Sequence, residues 1–166
     1  MALNFKSKKG TIVFESILVI SMLFVLGIAG LLINNVFDEL NDDIQSDSTI
    51  SNTSKNFSQS IYDRTPKIMD SVFIFVFVLL WGMVIVASFS IDSHPVFFIF
   101  SVILIIFSAF IGMELAKYYD EMANDEDFSS YSPNYPMTNF VFDHFLGFIL
   151  AMGFSVLIVL YGKSRI

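Results

Sequence analysis

Four long apolar runs, residues 11–33, 71–91, 96–116 and 140–161, limit what this chain can fold into. Each is about 21–23 residues long. As an α-helix rising 1.5 Å per residue, each reaches roughly 32–35 Å, enough to cross a hydrocarbon core ~30 Å thick. None alternates polar and apolar residues along its length, which sets aside the strands of a membrane β-barrel. A soluble domain carries roughly a quarter charged residues. Here 15% are charged and 55% hydrophobic, too little charge to wet a globular surface. The expected fold class is all-α: an integral, multi-pass membrane protein with four transmembrane helices.

Proline refines the helix starts, because the first helical turn has no use for the N–H that proline lacks. Thr65-Pro66, His94-Pro95 and Tyr135-Pro136 each precede an apolar run. The spacing predicts helices over 66–91, 95–118 and 136–162. The first helix is expected to run on past its apolar part. Val36, Phe37, Leu40 and Ile44 fall on one helical face between Asp38, Glu39, Asp42 and Asp43. It is expected over 11–47 with an amphipathic outer extension. Residues 48–65, rich in Ser, Thr and Asn, read as a polar linker. Residues 119–135 read as an acidic outer loop.

The charges predict an orientation. The N-terminal tail (residues 1–10) holds Lys6, Lys8 and Lys9, and the C-terminal tail (163–166) holds Lys163 and Arg165. The short connection between the second and third runs adds Asp92 and His94. In contrast, residues 38–70 carry seven acids against three bases, and residues 117–138 five acids against one base. The positive-inside rule places both termini on the cytoplasmic side, which an even number of spans also requires. Tyr118, Tyr119, Tyr131 and Tyr135 gather near the outer ends, where an aromatic ring with a wet hydroxyl sits well. Trp81, near the middle of the second span, reads as a packed core aromatic.

Small residues fall in register on two spans. Ser101, Ser108, Gly112 and Ala116 lie on the third, and Gly147, Ala151 and Ser155 on the fourth. Such stripes let helix backbones approach closely, within the chain or between copies. Asp143 continues the second stripe and is followed by His144. An acid beside an imidazole in a span is a proton-relay candidate, but the place of Asp143 near the expected outer end favours an interfacial pair reached by water. Glu114 lies at the same expected depth, within helical reach of Lys117. With Asp143 and His144 these two residues form a candidate polar membrane cluster.

Known catalytic signatures are missing. With no cysteine, thiolate metal sites and cysteine nucleophiles are excluded. No phosphate-cradling glycine loop occurs, His94 and His144 are expected on opposite sides, and no cofactor is expected. Asp125, Glu126 and Asp127 lack the alternate-residue oxygen spacing of a calcium loop. Basic residues are too few and dispersed for a nucleic-acid surface. Asn52-Thr53-Ser54 and Asn56-Phe57-Ser58 match the glycosylation pattern in the expected outer linker.

Lys-Lys-Gly followed by Thr-Ile-Val-Phe-Glu resembles the processing site of type IV prepilins. The resemblance implies a cut after Gly10 and places Glu15 at the fifth mature position, where it pairs with a neighbouring subunit's new N-terminus during assembly. It covers about 20 of 166 residues. Pilins then build a soluble headgroup, whereas this chain returns to the membrane three more times. A basic flank before an apolar run is also an ordinary signal anchor, in which Glu15 stabilises the positive end of its helix.

The sequence thus favours a non-enzymatic structural or assembly subunit of a larger membrane assembly, such as a virion membrane layer or a multi-subunit complex. Its expected partners are lipid, other membrane subunits or copies of itself, and an outer-face protein docked on the acidic loops. The alternatives are an ion or proton channel of holin type, resting on Glu114, Asp143 and His144, a pilin-like processed protein, and a membrane enzyme or its accessory.

Overall fold

Helix is what the apolar runs require, because a backbone in hydrocarbon must satisfy its polar groups within its own segment. The computed structural model describes residues 11–89 and 96–162. It contains α1 (Thr11–Ser46), α2 (Asn52–Phe89), α3 (Val96–Ala123), a 3₁₀ turn (Ser132–Asn134), α4 (Pro136–Asp143) and α5 (Phe145–Gly162). Four of these helices are long and apolar enough to cross a membrane. The chain is all-helical among the described residues.

Each helix turns one stripe inward. On α1 the buried positions include Val19, Ile20, Leu23, Leu31, Asn34 and Asn41; on α2 they are Pro66, Asp70, Phe73, Phe77, Val84 and Ser88. Steps of three, four and seven keep such residues on one face. On α5 the corresponding stripe is Phe145, Ile149, Met152, Val156 and Leu160. α1 packs on α2 and α3, α5 also packs on α2 and α3, and the bundle order is α1, α2, α5, α3. The opposite faces are apolar as well. Phe75, Val86, Ile99, Phe110 and Ile158 are all more than 60% exposed. A contiguous apolar exterior of this kind is what lipid-facing surface looks like.

The first two helices depart from the linker expected over 48–65. Residues 47–51 alone make the turn, and α2 begins at Asn52. Ser51 Oγ accepts from Ser54 N at 3.3 Å, so a serine that reads as linker caps a helix instead. Thr49 donates to the Asp47 carboxylate from both its backbone N–H and its hydroxyl, each at 2.7 Å, and these bonds hold that carboxyl below its ordinary pKa. Polar pairs then zip α1 to α2. Lys55 Nζ donates to Gln45 O at 2.6 Å, and Gln45 Nε2 donates to Lys55 O at 2.9 Å. Asn41 donates to Gln59 Oε1 and accepts from Ser58 Oγ, both at 3.0 Å. The stretch stays helical here because α1 supplies hydrogen-bond partners to Lys55, Ser58 and Gln59. Both glycosylation patterns therefore lie on the first turns of α2 and not in a loop.

Pro66 is also corrected: it lies inside α2, not at a helix start. Its missing N–H removes one intrahelical bond. The remaining boundaries move less. α3 continues to Ala123, and the expected fourth helix is divided at His144. That division is one residue wide. His144 N still donates to Phe140 O at 3.3 Å, and Phe148 N to His144 O at 3.1 Å. Asp92, His94, Pro95, both basic tails and Gly10 lie outside the described residues. Glu15 falls in α1, but its side chain is likewise outside them.

Candidate functional site: a clamped cap

Between α3 and α5 the chain makes a cap over one end of the bundle, and hydrogen bonds tie it to α1, α2 and α3. The cap begins where α3 stops. Ser129 N donates to Asp125 O at 2.8 Å, Phe128 N to Asp125 O at 3.0 Å, and Asp127 N to Asp125 Oδ1 at 3.1 Å. Asp125 of the expected acidic loop thus closes its own turn, an Asx-type use of aspartate. Phe128 packs down on the core.

Tyr131 donates to Asp38 Oδ2 of α1 at 2.6 Å. Tyr135, 2% exposed, donates to Gly30 O of α1 at 2.7 Å. A Cβ at position 30 would lie 3.1 Å from the tyrosine ring, a tight contact that the ring could meet only by giving a few tenths of an ångström. Asn139 accepts from Tyr119 OH of α3 at 2.8 Å and donates back to Ser132 O at 2.9 Å.

The strongest clamp is Asp70 of α2, 5% exposed. Its Oδ1 accepts from Thr138 N and Thr138 Oγ1, both at 2.8 Å, and its Oδ2 accepts from Met137 N at 3.1 Å. The first N–H groups of a helix lack intrahelical partners and carry partial positive charge. Asp70 therefore caps α4 from another helix, doing in space what an N-cap residue does in sequence. Pro136 opens α4 at the position where a missing N–H costs nothing.

Two of the cap's tyrosines resist ionisation. The bond to Asp38 pushes the Tyr131 hydroxyl up to about 12, and burial pushes that of Tyr135 up to about 12, with the Asp70 charge adding to it. Both values lie above the ordinary 10.0. Their contribution to stability is complete below pH 10 and is lost as pH rises through 12, because the unfolded chain ionises first. The thermal midpoint in detergent is expected to fall across that window. Tyr135→Phe should flatten the fall and lower stability by about 1 kcal/mol at neutral pH. An unchanged alkaline slope in that variant would contradict the assignment.

The residues singled out from sequence are partly dispersed. Lys117 pairs with Glu121 at 3.6 Å and not with Glu114, and both partners are well exposed. Asp143 and Lys117 line one cleft of about 510 Å³ with Asp120, Asn124 and Asn139; Glu114 does not. His144 turns back on its own helix, its Nδ1 3.0 Å from Phe140 O and its ring 4.6 Å from the Phe140 ring. Glu114, Asp143 and His144 are all exposed on the outside of the bundle, so within one chain they line no interior path.

The small residues divide in the same way. Ser108 is buried, and a Cβ at Gly112 would meet Ile149 of α5. Ala116 and Ser101 are partly covered. Gly147 and Ala151 are exposed, Gly147 has open space beside it, and Ser155 bonds Ala151 O in its own helix at 2.7 Å. On α5 it is Gly153 that meets α3, with its would-be Cβ 2.8 Å from Ile105. Trp81 packs edge-on against Phe77 and Phe148. Tyr119 and Tyr135 are buried in the cap.

Asp70, Thr138, Gly30 and Asn139 carry the cap, and none stands out in the sequence. Asp70 sits 68 residues from Thr138. The available signal was Tyr135-Pro136-x-Thr138, a helix start with no acceptor at its own N-cap. Among the described residues no group of three or more His, Asp or Glu side chains converges to hold a metal ion. The chain matches no family model, and neither the curated proteins nor the solved structures return a match.

Proposed function

We propose that the chain is a non-enzymatic subunit of a larger membrane assembly, with both termini on the cytoplasmic side, that presents a rigid helical arm to a partner on the outer side. The observation that carries the reading is the length of the α1–α2 hairpin. With 36 and 38 residues, these helices reach about 54 and 57 Å. That exceeds a ~30 Å hydrocarbon core by more than 20 Å each. The excess is stitched by the Asn41, Gln45, Lys55 and Gln59 side chains, so it is built to stand as a helical pair.

The arm's surface supports the same reading. Phe57 is 67% exposed near its tip, with Ile61 one turn along, and Val36 and Leu40 are half exposed on α1. Around them lie Asp38, Glu39, Asp42, Asp43, Asp47 and Asp63 against Lys55, Arg64 and Lys67. Apolar side chains inside an acidic field suit a protein partner with a basic rim.

The test is photocrosslinking from position 57 in native membranes, followed by purification in mild detergent. The expected result is a stoichiometric partner that is lost in Phe57→Asp, while the helical content of the subunit is unchanged. Recovery of a homo-oligomer alone, with ion flux in reconstituted vesicles, would overturn the assembly reading in favour of a channel.

A further inference from the structure

The cleft shared by Lys117, Asp120 and Asp143 sits at a particular depth. The apolar run of α3 ends at Ala116, one residue before Lys117. α5 has 18 residues, about 27 Å of helix, close to a hydrocarbon thickness, and Asp143 stands two residues before it begins. Two independent spans thus put the cleft at the height where lipid headgroups lie. Just below it Phe110, Met113 and Leu146 are exposed apolar side chains. At about 510 Å³ the cleft falls within the ~300–1,000 Å³ range of small-molecule sites.

Its charges remain open to a ligand. Lys117 has only its loose 3.6 Å contact with Glu121. Asp120 gives one oxygen to Asn124 Nδ2 at 2.9 Å and keeps the other. The Asp143 carboxylate accepts no hydrogen bond from any described side chain. One ammonium and two carboxylates around a polar cleft match a zwitterion presented in reverse: phosphate to Lys117, ammonium to Asp143 and Asp120. The net negative charge disfavours an anionic headgroup. A primary ammonium offers three N–H donors to the carboxylates, whereas a trimethylated one offers none.

We propose that this cleft, between α3 and the α4–α5 junction, is a headgroup site for a phospholipid of the phosphatidylethanolamine class. The proposal rests on the four long helices crossing a bilayer. Losing the charge-assisted hydrogen bonds on methylation of the amine corresponds to roughly tenfold or more in affinity.

The experiment is lipid titration of the detergent-purified full chain, read by native mass spectrometry. Phosphatidylethanolamine, phosphatidylcholine and phosphatidylglycerol with identical acyl chains are the probes. The ethanolamine lipid is expected to be retained about tenfold better than either of the others. Asp143→Asn combined with Asp120→Asn should erase the preference between ethanolamine and choline. Lys117→Gln should weaken both zwitterionic lipids together. Glu126→Gln, an exposed acid that does not line the cleft, should leave the preference unchanged, with circular dichroism reporting that each variant keeps its helices. Equal retention of the three lipids by the native chain, or a preference that survives the double aspartate variant, overturns the site. Alkaline carbonate extraction separates the two failures. A chain released from membranes sinks the bilayer reading itself, and a retained chain without lipid preference sinks only the cleft.

Discussion

Asp70→Ala is expected to lower stability by about 3 kcal/mol and to loosen the cap before the rest of the bundle opens. Two backbone N–H groups and one hydroxyl converge on this carboxylate, and it is almost wholly buried. Truncation removes all three bonds. It leaves Met137 N and Thr138 N without acceptors, at the end of a helix whose own preceding residue, Tyr135, offers no side-chain cap. Leaving buried donors unpaired is more costly than the net worth of a hydrogen bond, so the loss exceeds that of an ordinary surface cap. Asp70→Asn keeps the shape and one acceptor oxygen, and roughly half the loss is expected. Thr138→Val, which removes only the hydroxyl's bond, should cost about 1 kcal/mol.

The measurement is denaturant or thermal unfolding in a fixed detergent, paired with limited proteolysis. Cleavage within residues 124–135 should accelerate in Asp70→Ala while the hairpin arm stays intact. A stability change below about 0.5 kcal/mol, the range of featureless surface substitutions, would show that Asp70 does not clamp α4.

The second large effect is a contrast between two glycines. Gly27→Leu is expected to destabilise by about 2–3 kcal/mol through overpacking. A Cβ there would lie 2.5 Å from Phe142 Cε2 and 3.3 Å from Tyr119 Cε2. Those two rings are stacked with centroids 3.9 Å apart, and the Tyr119 hydroxyl is tied to Asn139, so neither side chain has room to withdraw. Gly147→Leu meets nothing within the chain and should stay within about 0.5 kcal/mol for the isolated monomer. Size-exclusion measurement gives Gly147→Leu a second readout. A shift in oligomeric state with an intact monomer would mean that the exposed Gly147–Ala151 stripe meets another copy. Equal stability losses at the two glycines would contradict the packing described for α1, α3 and α4.

How much of this was legible in the sequence follows from how far each interaction reaches. Helical spans in residues 11–33, 71–91, 96–116 and 140–161 were readable because length and unbroken apolarity are properties of a single segment. The extension of α1 beyond its apolar run was readable for the same reason: Val36, Phe37, Leu40 and Ile44 repeat within one helix. The Ser51–Gln59 stretch was misread because its composition permits both linker and helix. What decides between them is Asn41 and Gln45 on the facing helix. Pro66 looked like a helix start because its tolerance inside α2 depends on packing against neighbours.

The candidate cluster divided for a similar reason. Glu114 and Lys117 are close in sequence, and so are Asp143 and His144. Each pair's local spacing says nothing about which side of its helix faces the other. The bundle order α1, α2, α5, α3 sets that, and it brings Lys117 to Asp143 while leaving Glu114 and His144 outside the cleft.

By itself, then, the sequence determined that this chain is helical, that four segments have membrane length, and that charge is unevenly shared among the segments that flank them. These are sums over neighbouring residues, and hydrophobic burial responds to such sums. Only the tertiary structure decided that Asp70 caps α4, that Tyr135 closes on Gly30, and that Gly27 and Gly112 pack against neighbouring helices while Gly147 meets nothing within the chain. Those outcomes depend on hydrogen bonds and van der Waals contacts that act over a few ångströms. The partners stand tens of residues apart along the chain, and only the packed bundle brings them together.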